Sequence, residues 1–306
     1  MSLERERMYR FPWSRTDNPG GWVEVTDICD MSCPGCYRTS LGGHVPVDQI
    51  KAEVLELKRL VNCDGIGIAG GEPLLYPQIV EVVGFIARQG LKPRLLTNGK
   101  NLSQDLAKDL KKAGLNAISF HVDSRQNRPG WEGRSESGLN RLRQSFADII
   151  WELGGVGCSF LTTVDRSNLA EIPDILSWTR QNVHKVGSIA LITLRGIPMA
   201  EGVTYLVNGE KVDPSTLGSA FPDDYDISVM AEDVYETIEA RFPGSHPAAY
   251  LNGAGIPESY KVLVIPYLGS KSGILGTVGS KTVEFSQAMH HLLKGRYYLG
   301  LKKLTT

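Results

Sequence analysis

The stretch Cys29-Asp30-Met31-Ser32-Cys33-Pro34-Gly35-Cys36-Tyr37 places three cysteines in one short loop, at the spacing Cys-x3-Cys-x2-Cys. Sulfur atoms this close in sequence can converge on a single inorganic centre. A closed structural zinc site needs four protein ligands, and this loop supplies three. Iron–sulfur clusters are held by cysteine thiolates, and three thiolates leave one iron of a four-iron cluster without a protein ligand. The spacing therefore predicts a cluster with one open position for a small molecule.

Two predicted strands lead into motifs that carry chemistry. Trp22–Ile28 alternates and contains β-branched residues, so it reads as a strand that ends at the cysteine loop. A second predicted strand, Ile66–Ala69, ends at Gly70-Gly71-Glu72-Pro73. Glycines allow backbone carbonyls to approach a ligand closely, and the Glu72 carboxylate can pair with an ammonium group. Both motifs then lie at carboxyl ends of strands, where α/β proteins place their active sites.

The two motifs, in this order, resemble the radical S-adenosylmethionine (SAM) superfamily. The resemblance implies that Cys29, Cys33 and Cys36 hold a 4Fe-4S cluster and that Gly70–Pro73 bind the amino group of the methionine part of SAM. It also implies the reaction: the reduced cluster gives one electron to the SAM sulfonium, and the resulting 5′-deoxyadenosyl radical removes a hydrogen atom from a substrate. A flavodoxin or a ferredoxin is the implied electron donor.

The cysteine loop departs from the family pattern at one position. The family often has an aromatic residue before the third cysteine, near the adenine of SAM, and this chain has Gly35 there. Tyr37, after the third cysteine, is the candidate replacement. The departure affects the expected adenine contact and leaves the cluster ligands unchanged.

Composition narrows the function classes. The chain has 306 residues and a formal net charge of −1, which argues against a general nucleic-acid or membrane-surface binder. It contains no stretch typical of a membrane span and no apolar signal region near the N-terminus, so a cytoplasmic protein is expected.

Five cysteines with three clustered argue against a disulfide framework, and Cys63 and Cys158 are predicted to be buried small hydrophobic residues. No cysteine follows Cys158, so we expect a single cluster.

Strand and helix patterns alternate six times along the chain, which predicts an α/β fold; the resemblance implies a partial (β/α)6 barrel. We expect a lead-in over residues 1–20, the barrel over 21–196, and an α+β extension over 197–306 that closes the open side and shapes the substrate cavity. Further strands are predicted at Arg94–Gly99, Ala117–Asp123, Gly157–Val164 and Ser188–Arg195, and helices at Val47–Val61, Tyr76–Gly90, Asp105–Ala113, Leu139–Leu153 and Leu169–Val183. In the extension, the pattern predicts a hairpin around Asn208-Gly209, helices at Met230–Phe242 and Glu284–Leu293, and a strand-like run at Tyr260–Leu268.

Other candidate site residues lie at the ends of predicted strands. Thr97-Asn98-Gly99 is either a turn that caps backbone groups or a contact to SAM. Ser119, His121 and Asp123 alternate along one strand and share a side, and the resemblance implies that this side approaches the SAM ribose. His121 is either catalytic or a buried histidine with satisfied hydrogen bonds. Arg195 either meets the SAM carboxylate or a substrate anion, or forms a surface salt bridge.

The loop Ser124–Arg134 follows the fourth strand of the predicted barrel and carries Arg125, Arg128, Arg134 and Trp131. The guanidinium group of arginine can donate two parallel hydrogen bonds to a phosphate or carboxylate group, and the tryptophan ring offers a flat apolar surface. One interpretation is a site for an anionic part of the substrate, with Arg128 as a further catalytic candidate; the other is a solvated charged loop.

We therefore expect an enzyme that acts on a small-molecule substrate, in the biosynthesis of a lipid, a cofactor or a natural product. Two alternatives stay open. The first is an activase of glycyl-radical type that acts on a protein, and the second is a non-enzymatic module that binds a cluster or a metal. The basic and apolar segment 290–303 is either a terminal helix that packs on the domain or a surface for a partner, a lipid or RNA.

Overall fold

The computed structural model of the chain describes residues 3–34, 36, 42–195, 204–207, 209–213, 226–252 and 260–298. The first part of the chain contains β1 (Tyr9–Arg10), β2 (Gly20–Glu24), α1 (Val47–Val61), β3 (Gly65–Ala69), α2 (Ile79–Arg88), β4 (Lys92–Thr97), α3 (Gln104–Ala113), β5 (Ala117–His121), α4 (Asn140–Leu153), β6 (Gly157–Val164), α5 (Ile172–Gln181) and β7 (Ser188–Thr193). The remainder contains β8 (Tyr205–Val207), β9 (Glu210–Val212), α6 (Ala231–Arg241), β10 (Ala249–Asn252), β11 (Tyr260–Val264), β12 (Tyr267–Ser270), β13 (Gly273–Thr277) and α7 (Ser280–Lys294).

Six parallel strands form the main sheet, in the order β2-β3-β4-β5-β6-β7. Strand order follows chain order, and each strand is joined to the next by a connection that contains a helix. The edge strands β2 and β7 do not pair with each other, so the sheet is a curled half-barrel. The predicted partial (β/α)6 barrel is confirmed.

Alternate side chains of these strands pack against the helices. Apolar residues on this convex face join helix residues in one core, and they are Val23, Ile66, Ile68, Leu95, Ile118, Phe120, Cys158 and Phe160 on the strands, with Val54, Val83, Ile86, Leu110 and Phe146 on the helices. Cys63 also lies in this core, so both isolated cysteines are buried as predicted. Because strand side chains alternate, the residues between these positions face the concave side.

Most element bounds lie within a few residues of the predicted ones, and α1 and β6 match them. The first predicted strand, Trp22–Ile28, is longer than the observed one, since β2 ends at Glu24. Beyond this end, Thr26 forms an isolated bridge with His44. The strand β5 ends at His121 because the Asp123 side chain turns back and accepts from Arg125 N at 3.0 Å, which begins a short 3-10 turn.

The C-terminal part of the described chain adds small sheets and two helices. The predicted hairpin is confirmed, since Val207 pairs with Glu210. The single strand predicted over Tyr260–Leu268 is two strands, β11 and β12, which end and begin on either side of Pro266; proline cannot donate to a strand ladder. Two residues of the predicted lead-in pair with this region, because β1 pairs in parallel with β10.

The segment after α7 docks against the amino ends of the barrel strands. Arg296 donates from Nη2 to Gly90 O at 2.9 Å, and its Nε lies 3.2 Å from Oδ1 of the buried Asp64. Asn62 Nδ2 donates to Gly295 O at 2.8 Å. The described end of the chain therefore packs on the domain, at the face opposite the carboxyl ends of the strands. In the described part of the chain, no helix is both long and apolar enough to cross a membrane.

Candidate functional site

Residues 25–28, which lead into the cysteine loop, are hydrogen-bonded to the glycine turn that follows β3. Val25 N donates to Ala69 O at 2.9 Å, and Gly71 N donates to Thr26 O at 2.7 Å. Glu72 N then donates to Ile28 O at 2.8 Å, directly before the first cysteine. The two motifs that were separate in the sequence therefore form one continuous backbone structure at the carboxyl end of the sheet.

This close approach explains why Gly70 and Gly71 are glycines. A Cβ atom on Gly70 would lie 2.3 Å from Thr26 O, and one on Gly71 would lie 2.3 Å from Ile28 O. Gly70 also has φ of +138°, a conformation that side chains rarely adopt. The described contacts thus assign both glycines to packing of backbone on backbone, and their contact with SAM stays a prediction.

Glu72 ties the glycine turn to the end of β4. Its carboxylate is buried and accepts hydrogen bonds from Leu74 N at 2.9 Å, from Thr97 Oγ1 at 2.5 Å and from Asn98 N at 2.7 Å. Burial raises the pKa of Glu72, and these donors oppose that rise. A carboxylate has about four acceptor positions, so one is left for a further donor such as an ammonium group. The next residue, Pro73, opens a short 3-10 turn and is buried.

Asp30 ties the cysteine loop to the same turn after β4. Its carboxylate accepts from Asn98 Nδ2 at 2.9 Å and from Asn101 Nδ2 at 2.8 Å, and Lys100 Nζ lies 3.3 Å away. Burial opposes ionisation of Asp30, but these partners outweigh it and hold its pKa below the ordinary value. Asn98 also accepts from Lys100 N, as expected of a capped turn. Thr97 and Asn98 therefore have a structural role, and their contact with SAM stays a prediction.

The three cysteines lie in one loop, with Cys29 and Cys33 half-buried and Cys36 exposed. Among the described residues, no three His, Cys, Asp or Glu side chains are gathered closely enough to enclose a metal ion. Burial, followed by the charges of Cys36, Asp123 and Cys29, raises the pKa of Cys33 to about 12. With so high a pKa, Cys33 is a protonated thiol at neutral pH, and a bound cationic centre would hold it as the thiolate. Three cysteines in one loop are a donor set that fits an iron–sulfur cluster. Gly35 and Tyr37 lie outside the described residues.

Ser119 and His121 lie on the concave face of β5, with Asp123 directly beyond the strand. Ser119 Oγ is 2.6 Å from Ser159 Oγ of β6, so its hydroxyl is already paired. His121 Nε2 lies 2.8 Å from Asp123 Oδ2 and 3.0 Å from Thr163 Oγ1. Burial would raise the pKa of Asp123, but the charge and hydrogen bond of His121 and the bonds from Thr163 lower it. This pairing fixes the His121 ring and leaves Nδ1 without a partner in the described part of the chain.

The arginines of the loop after β5 have three different environments. Arg125 forms an ion pair with Asp165, and Arg134 is exposed. Arg128 is buried, and its Nη2 donates to Asn98 O at 2.7 Å, to His121 O at 3.1 Å and to the Gln126 side chain at 3.2 Å. Burial lowers the pKa of Arg128, and the charges of Cys33, Glu72, Asp123 and Asp30 oppose that shift. Of the three arginines, Arg128 is the one held between the ends of β4 and β5 and beside the cysteine loop. Trp131 packs on the barrel core.

Arg195 is engaged elsewhere. Its Nη1 donates to Leu194 O and Val229 O at 2.8 Å and to Ile227 O at 3.2 Å, and its Nη2 lies 3.3 Å from Met230 Sδ. These bonds tie the end of β7 to the segment before α6. The described contacts give Arg195 neither a surface salt bridge nor a place beside the cysteine loop.

Sequence reasoning did not identify the buried pair that supports the loop carrying Arg128. Glu136 and Arg143 form an ion pair in which both side chains are fully buried. Glu136 Oε1 accepts from Ser124 N and Oγ at 2.8 Å, and Arg143 Nη2 donates to Val122 O at 2.9 Å. The sequence does not predict this ion pair, because a glutamate and an arginine seven residues apart come into contact only through the turn between them.

Comparisons with known proteins agree with this geometry. The sequence profile described as "Radical SAM superfamily" matches residues 23–178. The chain is 26% identical over 191 residues to the AdoMet-dependent heme synthase of Methanosarcina barkeri, a match that covers 58% of this chain and 51% of that protein. It is 26% identical over 196 residues to the GTP 3',8-cyclase of Marinobacter nauticus, covering 62% and 59% of the two chains.

Among solved structures, the chain is similar to HydG, a maturase of the FeFe-hydrogenase, with a TM-score of 0.50. That match has 12% sequence identity and covers 81% of this chain and 52% of HydG, so it shows the fold alone. The chain thus spans little more than half the length of each of these three proteins.

Proposed function

Because this chain belongs to the radical SAM superfamily, whose enzymes use a 4Fe-4S cluster and SAM, we propose that Cys29, Cys33 and Cys36 hold the cluster and that the ends of β3, β4 and β5 hold SAM. The candidate SAM residues are Gly70, Gly71, Glu72, Pro73, Thr97, Asn98, Ser119 and Asp123, with Tyr37 near the adenine. Arg195, which bonds to the segment before α6, is the weakest of the candidates.

One observation carries the proposal: the cysteine loop is bonded to both neighbouring turns. Its approach bonds to Gly71 and Glu72, and its own Asp30 bonds to Asn98. Glu72 in turn accepts from Asn98 N, which closes the connection between the two turns. A cluster held by this loop would lie beside the carboxyl ends of β3 and β4, where SAM could reach it.

When bound, the cluster supplies the electron that cleaves SAM and so starts hydrogen removal from a substrate. The chain's own residues position the reactants. Glu72 keeps one acceptor position for the SAM ammonium, and His121, oriented by Asp123, is a candidate for proton transfer or a polar substrate contact. Arg128 supplies a positive charge beside the cysteine loop, which suits an anionic part of SAM or substrate.

We propose a small-molecule biosynthetic reaction, with a flavodoxin or a ferredoxin as the electron donor. The proposal is supported by the names of the two curated relatives, a heme synthase and a GTP cyclase. A role in lipid or natural-product biosynthesis is equally compatible with the site.

The test begins with anaerobic reconstitution of the protein, followed by iron and sulfide analysis, EPR, and measurement of 5′-deoxyadenosine formed from SAM under reducing conditions. We expect one four-iron cluster, which Cys29→Ala should lose and Cys158→Ala, a change far from the loop, should keep. Reductive cleavage of SAM by the wild type is the second expected result. A full cluster in Cys29→Ala refutes the ligand assignment, and a cluster without SAM cleavage supports a non-enzymatic module.

A further inference from the structure

A row of residues crosses the concave face of the sheet on the amino-terminal side of the candidate site, two residues before Ser119 on β5. Cα pairing runs from Trp22 on β2 to Gly67, Arg94, Ala117 and finally Gly157 on β6. Their neighbours along each strand pack into the helical core, so these five positions face the opposite, concave side, and three of them, Trp22, Arg94 and Ala117, carry side chains. Arg94 is the one charged residue in the row, and its neighbours on β3, β5 and β6 are glycine or alanine.

Arg94 has no partner within the described residues. No hydrogen bond or ion pair involves its side chain there, and its Nε is buried without an acceptor. Burial lowers the pKa of Arg94, and no described carboxylate opposes that shift. Gly67, Ala117 and Gly157 have no side-chain acceptor to offer. A half-buried charge without a counter-charge is unfavourable, and a bound anion would supply the missing counter-charge.

A flat apolar surface lies beside Arg94. A Cβ atom built on Gly67 would be 3.1 Å from Trp22 Cε3 and 3.2 Å from Leu96 Cδ1, so the indole ring and Leu96 both lie over this glycine. Trp22 is 48% exposed, which is high for an indole on the inner face of a barrel. Trp22 Nε1 lies 3.4 Å from Glu24 Oε1, and Glu24 does not pair with Arg94.

We propose that Arg94, Trp22 and Leu96 form a substrate subsite for an anionic group attached to a flat unsaturated ring. A carboxylate or phosphate oxygen accepts from the Arg94 guanidinium, and the ring lies against Trp22 and Leu96. The inference rests on the proposed function, because the ligand is the substrate of that reaction. Four residues along β5 separate the Ala117 level from His121, or about 13 Å at 3.3 Å per residue. The subsite therefore holds a remote part of the substrate and leaves the reacting part near the cysteine loop.

The test uses benzoate and phenyl phosphate as probes, titrated calorimetrically into the anaerobic, cluster-loaded protein. Wild-type protein is expected to bind at least one of them, and the preferred probe distinguishes a carboxylate from a phosphate ligand. Arg94→Gln should lower that affinity about 10-fold to 100-fold, the usual effect of losing a hydrogen bond from a charged group. Arg141→Gln, which removes an exposed arginine from the outer face of α4, should not change it. Benzamide tests the charge requirement, and acetate or inorganic phosphate tests the ring requirement; all three should bind more weakly than the preferred probe.

Several results would overturn the subsite: no binding of either probe by wild type, equal binding by Arg94→Gln, or equal binding of benzamide. Arg94→Met provides a second measurement, because removing an unpaired, half-buried charge should maintain or raise the denaturant midpoint. A clear fall in that midpoint would show that Arg94 is structural and would refute the inference. Loss of cluster or SAM cleavage in wild type would count against the proposed function, whereas failure of probe binding alone counts against the subsite.

Discussion

Replacing Glu72 with alanine is expected to destabilise the folded protein before any SAM is present. The change leaves three donors without their acceptor, namely Leu74 N, Asn98 N and the Thr97 hydroxyl, in a region where Glu72 itself is 1% exposed. Each unsatisfied buried donor costs about 1–3 kcal/mol, so we expect a loss of at least about 3 kcal/mol, or roughly 100-fold in the folding equilibrium. Denaturant unfolding of the cluster-free protein measures this as a lower midpoint with an unchanged slope.

The matched control is Glu56→Ala, which removes a glutamate from an exposed ion pair with Arg59 on α1. Exposed ion pairs of this kind contribute little to stability because water screens them, so the control midpoint should hardly move. Glu72→Gln keeps the shape but places an amide nitrogen against one of the donors, and it should fall between the two. If Glu72→Ala unfolds at the wild-type midpoint while SAM binding weakens, the carboxylate is a ligand group without the structural role that we assign to it.

Three further predictions concern other parts of the molecule. The partners of Asp123 hold its pKa below the ordinary value, so the ionised carboxylate stabilises the fold above about pH 4 and this contribution is lost as the pH falls further. In urea unfolding, the free energy of unfolding should therefore fall less steeply with acid for Asp123→Asn than for the wild type. Arg143→Met leaves Glu136 as a buried charge without its ion-pair partner and should lower stability by about 3–5 kcal/mol, measured by denaturant unfolding, whereas a neutral result would mean that water reaches this pair. Arg296→Ala should make the segment after α7 more sensitive to limited proteolysis while the barrel stays intact, and an unchanged cleavage pattern would contradict the docking through Gly90 O.

The barrel was predictable from the sequence because its signals are local. The apolar positions of α1 recur at helical spacing, and β6 is bounded by glycines on one side and an Asp-Arg-Ser turn on the other, so both were predicted with the observed ends. The strands β1 and β10 gave no such signal. β1 is two residues long and β10 four, and they become a sheet through pairing between distant parts of the chain.

The candidate site was predictable as a set of motifs, and its internal bonding was not. Gly70 and Gly71 were recognised as special, but the sequence does not state that the nearest obstacle is the backbone of Thr26 and Ile28. The role of Asp30 depends on a turn after β4 that lies almost 70 residues away, at Asn98. Arg94 was missed for a different reason. The sequence does not show what lies beside an arginine inside a predicted strand, and it is the strand register that places Gly67 and Ala117, which have no polar side chain, next to it.

The pairing of β1 with β10 has a consequence for the order of folding. Tyr9 is aligned with Ala249, so this small sheet joins two segments that are far apart in the sequence, whereas each barrel strand pairs with a strand close to it in sequence. Contacts between distant residues form late, because a long loop must close before they contribute. On the ribosome, the barrel strands can therefore assemble while β1 still waits for its partner. Tyr9 and Arg10 are synthesised before the barrel strands and reach their final place after them.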